Sequence, residues 1–284
     1  MEVITTVRGL EEYAARTLDQ GLSIGLVPTM GALHRGHLSL VRRARTDNDR
    51  VVVSVFVNPT QFNNPDDLKT YPRTVEADLA LLEDAGVDVA FVPTVEEIYP
   101  EPDTRVFDLG SVAQVMEGAM RPGHFNGVAQ IVSKLFRYTR PTRAYFGEKD
   151  FQQIAVIRRM VDLEGGFDGL EIVDCPIVRE DDGLALSSRN VRLTPEARAV
   201  APGIHRVLTA SLDGYRDKTP AQVADEVAAA INAIPGLETE YYTIVDALTM
   251  QPIEEWAQAA EHGAVGCVTV YAGDVRLIDN IRYF

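Results

Sequence analysis

The sequence predicts an α/β protein: a Rossmann-like, doubly wound parallel sheet with helices on its faces, followed by a smaller α+β C-terminal domain. Three observations lead there. Through the first two-thirds of the 284 residues, short apolar runs ending in turn-formers alternate with longer amphipathic stretches, which is the βα rhythm of a parallel sheet. The run VVVSVFV at 51–57 is apolar but for one serine and mostly β-branched, as suits a strand covered on both faces. After REDDGLALSSRN, at 179–190, the texture changes to Ala-rich helical stretches and then strand-like runs.

Taken in order, strands are expected at 24–27, 51–57, 89–92, 144–146 and 171–175. Helices are expected at about 38–45, 74–84, 128–138 and 151–163, where apolar residues recur at three- and four-residue steps. Beyond these come helices at 194–210 and 220–233 and strands at 241–245 and 264–271. Thr194-Pro195-Glu196 is a helix start, with a capping hydroxyl, Pro at the first helical position and an acid in the first turn. Gly273-Asp274 marks a hairpin turn between Val270 and Leu277. Two domains follow, 1–175 and 176–284.

With 42 acidic against 27 basic side chains the formal charge is −15, which argues against a general nucleic-acid or anionic-membrane binder. Any phosphate site must be local. At 46% hydrophobic and 24% charged, the composition is that of an ordinary globular protein with a proper core. Cys175 and Cys267 have no metal-ligand spacing and give no disulfide framework, so a reducing, cytoplasmic location is expected. The N-terminal segment lacks the basic-then-apolar order of a signal peptide, and no apolar run reaches the roughly 18 residues of a membrane span.

Chemistry concentrates in five segments. Pro28-Thr-Met30-Gly31-Ala-Leu-His34-Arg-Gly-His37 lies between the first expected strand and a helix, at the carboxyl edge where doubly wound sheets bind ligands. The starting helix is expected to offer backbone N–H groups to phosphate, and the two histidines to donate to a transferring phosphoryl group. Asn58-Pro-Thr-Gln61-Phe62 ends the second strand with two amides suited to hydroxyls and carboxylates, although NPTQF is as readily a polar turn. Arg121-Pro-Gly-His124 adds a guanidinium for a carboxylate or phosphate. Phe146-Gly147-Glu148-Lys149-Asp150-Phe-Gln-Gln153 brings Gly147 for close backbone approach and Lys149 for phosphate oxygens; Asp150 suits a ribose hydroxyl or a helix cap. Leu186-Ser187-Ser188-Arg189 supplies donors that could wrap a triphosphate, since the chain has no GxxxxGK[ST] loop, and its place on the domain border suits a lid.

In this order and spacing, PTMGALHRGH, FGEKDFQQ and LALSSRN closely resemble the pantoate–β-alanine ligases, and the match runs on to Arg276-Leu-Ile-Asp-Asn280. HxGH and SSRN also resemble the HIGH and KMSKS signatures of the wider nucleotidylyltransferase and class I aminoacyl-tRNA synthetase superfamily. Asn126, where the family often has a basic residue, and Gln130, in an apolar helix start, depart from the pattern. The resemblance implies ATP-dependent condensation of (R)-pantoate with β-alanine through a pantoyl adenylate, releasing AMP and pyrophosphate. It implies that His34, His37, Lys149, Ser187, Ser188 and Arg189 act on the reacting phosphates, with His37 as proton donor. ATP would further meet Met30, Gly31, Gly147, Glu148, Asp150, Val178 through its backbone, and Leu186. Pantoate and β-alanine would meet Gln61, Gln153, Asn58, Met30, Phe62, Arg121 and His124. Mg²⁺ is expected with the triphosphate, with Asp78 its candidate ligand by position, and a homodimer is implied. The alternatives are a nucleotidylyltransferase of the same superfamily acting on another small substrate, and a catalytically silent nucleotide-binding module.

Overall fold

The computed structural model describes residues 1–284. Its elements in chain order are β1 (Glu2–Ile4), α1 (Val7–Asp19), β2 (Ile24–Thr29), α2 (Arg35–Asp47), β3 (Arg50–Val55), α3 (Pro65–Thr70), α4 (Val75–Asp84), β4 (Val89–Phe91), α5 (Val95–Ile98), α6 (Glu117–Met120), α7 (His124–Thr139), β5 (Arg143–Gly147), α8 (Phe151–Glu164), β6 (Glu171–Cys175), α9 (Pro195–Val200), α10 (Gly203–Ala210), α11 (Pro220–Asn232), β7 (Leu237–Asp246), β8 (Ala264–Ala272) and β9 (Val275–Arg282). They form two compact units. One comprises Met1–Gly110, Arg121–Glu148 and Val156–Pro176; the other comprises Ser111–Met120, Lys149–Ala155 and Ile177–Phe284.

The first unit is a six-stranded parallel sheet in the order β1-β4-β3-β2-β5-β6. From central β2 the chain steps outward to β3 and β4, then crosses back to β5 and β6. Right-handed crossovers in opposite directions put helices on opposite faces, so α2 and α4 cover one and α1 and α7 the other. On the α2 side the core joins Val27, Val51, Val53, Val55, Ala90 and Tyr145 to Leu40, Val41, Ala44 and Leu82. Every residue from Val51 to Val55 is buried, the reason that stretch carries no polar alternation. Because the order reverses between β2 and β5, the loops that leave these neighbours diverge at the carboxyl edge and open a crevice.

The second unit is the antiparallel sheet β7-β8-β9 with α9, α10 and α11 against it. Gly273 and Asp274 form the two-residue connection between the paired Ala272 and Val275. Along β8, Ala264, Val268, Val270 and Ala272 join the helix-side core, whereas Val265 and Cys267 join Met116, Phe151, Val245 and Met250. The second cluster explains why Ser111–Met120 and Lys149–Ala155 belong here: a single cut at 175/176 would separate Met116 and Phe151 from the apolar partners that bury them.

Two sequence expectations need correction. The helix expected at 194–210 is two, α9 and α10, broken at Ala201-Pro202 because proline has no N–H to continue the ladder. Strand β1 and helix α1 were not foreseen: β1 has three residues, and only Leu10, Ala14 and Thr17 of α1 are buried, a stripe too narrow to stand out. Both cysteines are free and buried, and no helix is long and apolar enough to cross a membrane.

Candidate active site

In the first unit the loop after β2 is held group by group. Thr29 Oγ1 donates to the Ser54 carbonyl (2.6 Å) and accepts from Gly31 N–H (3.2 Å). Asp78, 1% exposed on α4, accepts from Ala32 N–H (2.9 Å) through Oδ2 and from Leu33 N–H (2.8 Å) through Oδ1. Gly31 and Ala32 have φ of +80° and +50°; a Cβ on Gly31 would lie 3.0 Å from Asp78 Oδ2, so only glycine suits both the dihedral and the space. His34 then caps α2: its Nδ1 accepts from Gly36 N–H (3.1 Å), while its own N–H donates to His37 Nδ1 (3.3 Å). The pair is a capping box built from imidazoles, with ring centroids 4.0 Å apart. In the neutral rings both protons therefore sit on Nε2. The N–H groups of Gly31, Ala32, Leu33 and His34, ahead of α2, and that of Gly36 in its first turn are satisfied by side chains of the chain itself.

The loop after β3 is organised around Asn58, 1% exposed. Its Nδ2 donates to Gln61 Oε1 (3.1 Å) and to the Gly127 carbonyl (3.1 Å), and its Oδ1 accepts from Tyr99 (2.8 Å) and Thr60 (3.2 Å). Asn58 thus orients Gln61, committing the carbonyl end of that amide and leaving its NH₂ end as the donor. Gly127 lets α7 touch this turn, since a Cβ there would lie 2.3 Å from the Thr60 carbonyl oxygen. His124, also buried, donates from Nδ1 to the Gln61 carbonyl (2.8 Å) and accepts at Nε2 from Arg121 (3.2 Å). Asn58 and His124 therefore shape the position of Gln61 and Arg121. Met30 and Phe62 are half-buried, with the Phe62 ring edge-on to Tyr71 at 5.6 Å. Gly147, at the end of β5, has no protein atom within 4 Å of where a Cβ would stand.

The departures at Asn126 and Gln130 have a local account. Asn126 accepts from Phe107 N–H and donates to the Arg105 carbonyl, and Gln130 donates to the carbonyls of Asp103 and Arg105. One helical turn apart on α7, the two amides pair the extended segment 103–107 as a neighbouring strand would. Lys134 pairs with Asp103 (3.6 Å) and lies over the Tyr99 ring, a structural task.

In the second unit, strand β9 anchors two candidate segments. Asn280 Nδ2 donates to the Lys149 carbonyl (3.2 Å), while Asp279 takes Arg179 in a bidentate pair (2.6 and 3.0 Å). Arg179 is thus spent on this pair and on the Gly183 carbonyl. The hairpin around Arg179 closes with Leu186 N–H donating to the Val178 carbonyl (3.0 Å), and leads to Ser187, whose Oγ accepts from Arg189 N–H (3.2 Å) and keeps its own proton to donate. Ser187, Ser188, Arg189 and Lys149 are half-buried, and Asp150 is exposed at 4.0 Å from Lys149 Nζ. Of the two glutamines on α8, Gln152 is structural, donating to the carbonyls of Val112 and Val115; Gln153 is half-buried beside it.

His205 lies against Gly183 with Nδ1 buried and unpartnered, and burial, then the nearby Arg179, hold its pKa below the usual value while Asp279 opposes them. A histidine lowered in the fold binds its proton more readily when unfolded. Its contribution is therefore complete above about pH 6.5 and lost as pH falls below that toward the folded value. Urea midpoints at about pH 7.5 and 5.5 are expected to differ, and His205→Leu to reduce that difference; an unchanged difference would remove His205 as a cause.

Asp78 does not fit a magnesium ligand. Besides the two backbone donors, both oxygens accept from the Thr74 hydroxyl at 3.2 Å, and no three His, Cys, Asp or Glu side chains gather as an ion-binding group. The first unit thus holds Met30, Gly31, His34, His37, Asn58, Gln61, Phe62, Arg121, His124, Gly147 and Glu148, on the loops and helix starts that follow β2, β3, α6 and β5. Lys149, Asp150, Gln153, Val178, Leu186, Ser187, Ser188 and Arg189 belong to the second.

Residues 2–282 match the family model Pantoate-beta-alanine ligase. A pantothenate synthetase of Porphyromonas gingivalis is 60% identical over 283 residues, covering 100% of this chain and 99% of the relative. The crystal structure of pantothenate synthetase from Thermus thermophilus superposes with a TM-score of 0.91 at 47% identity, covering 100% of both chains. A pantoate-β-alanine ligase from Francisella tularensis, solved with β-γ ATP and β-alanine, gives a TM-score of 0.81 at 34% identity, covering 100% of this chain and 98% of that one. The chain belongs to the pantoate–β-alanine ligase family, whose members are amide-forming ligases.

Proposed function

We propose that the chain condenses (R)-pantoate with β-alanine, coupled to cleavage of ATP to AMP and pyrophosphate. Family membership supports the activity, and the relative solved with ATP and β-alanine supports the substrates. The observation that carries the chemistry is the close His34–His37 pair, both Nδ1 atoms committed to backbone N–H groups, at the point where the strand order reverses. At neutral pH a carboxylate is a poor electrophile, so the pantoate oxygen attacks the α-phosphorus, the Pα–O–Pβ bond breaks and pyrophosphate leaves. The β-alanine amine then attacks the acyl carbon, its proton goes to solvent, and AMP departs. No enzyme nucleophile is required.

In this reading the Nε2–H groups of His34 and His37 donate to phosphate oxygens as charge builds on them. Lys149, Ser187, Ser188 and Arg189 add charge and donors, and Val178, its carbonyl spent on Leu186, acts through its N–H. Gln61 and Gln153 hold the pantoate hydroxyls and carboxylate, with Met30 and Phe62 against its methyls. Magnesium would be carried by phosphate oxygens and water, in keeping with its habit of few protein ligands. A cytoplasmic homodimer belongs to the same proposal, resting on the family resemblance and, for the compartment, on two free cysteines. A nucleotidylyltransferase for another small substrate is not favoured, because relatives matched along the whole chain are named for pantothenate synthesis.

Purified protein should exchange labelled pyrophosphate into ATP when pantoate and Mg²⁺ are present and β-alanine is absent. Absence of exchange would sink the adenylate scheme, and exchange with other hydroxy acids but not pantoate would redirect the substrate.

A further inference from the structure

We propose that Asp78 is a positioning residue for the HxGH histidines, acting as an internal anion in the turn that precedes them. Successive backbone N–H groups in a left-handed turn form a concavity that attracts anions, and elsewhere such turns cradle phosphate. Here Gly31 and Ala32 make that turn, and the Asp78 carboxylate takes the N–H groups of Ala32 and Leu33, one on each oxygen. Thr74, at the start of α4, leaves its own helix uncapped and spends its hydroxyl on both carboxylate oxygens. The carboxylate is buried, so the bonds are not shared with solvent. The next N–H along the chain, that of His34, goes to His37 Nδ1, and the Nδ1 of His34 takes Gly36 N–H. Asp78 thus fixes the peptide planes immediately ahead of the residue whose N–H sets the His37 tautomer. The consequence for catalysis rests on the proposed role of the two histidines; the restraint on the loop does not.

Asp78→Asn separates the possibilities, because an amide keeps the size but turns a donor toward one of the two N–H groups. Relative to wild type, hydrogen exchange in the segment 30–36 should quicken about tenfold or more while the rest of the first unit keeps its protection. Turnover should fall about 10- to 100-fold, with KM for ATP and pantoate and half-saturating Mg²⁺ each within about threefold of wild type. Unchanged exchange in 30–36 would overturn the restraint. Faster exchange with unchanged turnover would overturn its link to the histidines, and recovery of turnover at raised Mg²⁺ would make Asp78 a metal ligand instead. If Asp78→Asn does not fold, Thr74→Val keeps the carboxylate and removes the hydroxyl that holds it. Exchange in 30–36 and turnover should then each change about two- to tenfold, and no change in either would overturn the proposal. A fully active His37→Gln variant would defeat the histidine reading alone, leaving the exchange result to stand or fall by itself.

Discussion

His37→Gln is expected to keep the fold and lower turnover about 10²- to 10³-fold, the usual loss when one preorganised donor to developing negative charge is removed. The substitution is chosen from the geometry. His37 occupies the third helical position of a capping box, where glutamine is a common occupant and accepts the same N–H of the cap residue. His37→Gln therefore retains the restraint on α2 and deletes only the Nε2 donor, whereas His37→Ala removes both and should lose at least as much activity, with up to about 1 kcal/mol of stability besides. Steady-state kinetics with saturating ATP, pantoate and β-alanine, beside a thermal melt, gives both numbers. Wild-type turnover in His37→Gln would take His37 out of the chemistry.

The largest expected loss of stability is at Arg276. Its guanidinium bonds both oxygens of Glu117 at 2.7 Å and reaches Glu240 from Nε at 2.9 Å, and Glu117 also accepts from Tyr241 (2.8 Å) and Thr269 (3.1 Å). Glu117 is 8% exposed, so Arg276→Met would leave a buried carboxylate beside a second one with no cation between them. Removing one partner of a buried pair typically costs about 3–5 kcal/mol. The melting midpoint of the second unit should fall on the order of 10 °C. Arg276→Met with Glu117→Gln should recover more than half of that, since Tyr241 and Thr269 can donate to the neutral amide. A single variant that melts like wild type, or a double variant no better than the single, would show that the pair contributes little.

The C-terminal segment RLIDN shows how far a motif can be read without a fold. Its resemblance to the family is visible in the sequence, but its work follows from strand alternation. Arg276 and Asn280 share a face of β9, with Glu117 and Lys149 as their partners, while Asp279 on the opposite face takes Arg179. Nothing in the spacing of Arg179, Glu180 and Asp181 announces that the arginine is already neutralised by a residue 100 positions later. The same holds for Asn58 and His124: both are polar, both flank glycine-bearing loops, and both proved to be buried braces of Gln61. Polarity marks a residue as able to bond and leaves open whether its partner is a ligand or the protein.

The sequence alone determined the parallel α/β class, a buried strand expected at 51–57 that in the fold runs from Arg50 to Val55, the smaller α+β unit, the five chemical segments and their family, because periodicity, turn residues and motif spacing are local properties of the chain. Tertiary structure decided which donors remain for a ligand. Asp78, which follows Ala32 by 46 positions, meets the Gly31–Leu33 turn only because the loop after β2 and the start of α4 are brought together, and its carboxylate then occupies the N–H groups of Ala32 and Leu33. Hydrogen-bond capacity is finite and shared across the fold. Its allocation could be settled only where distant residues meet.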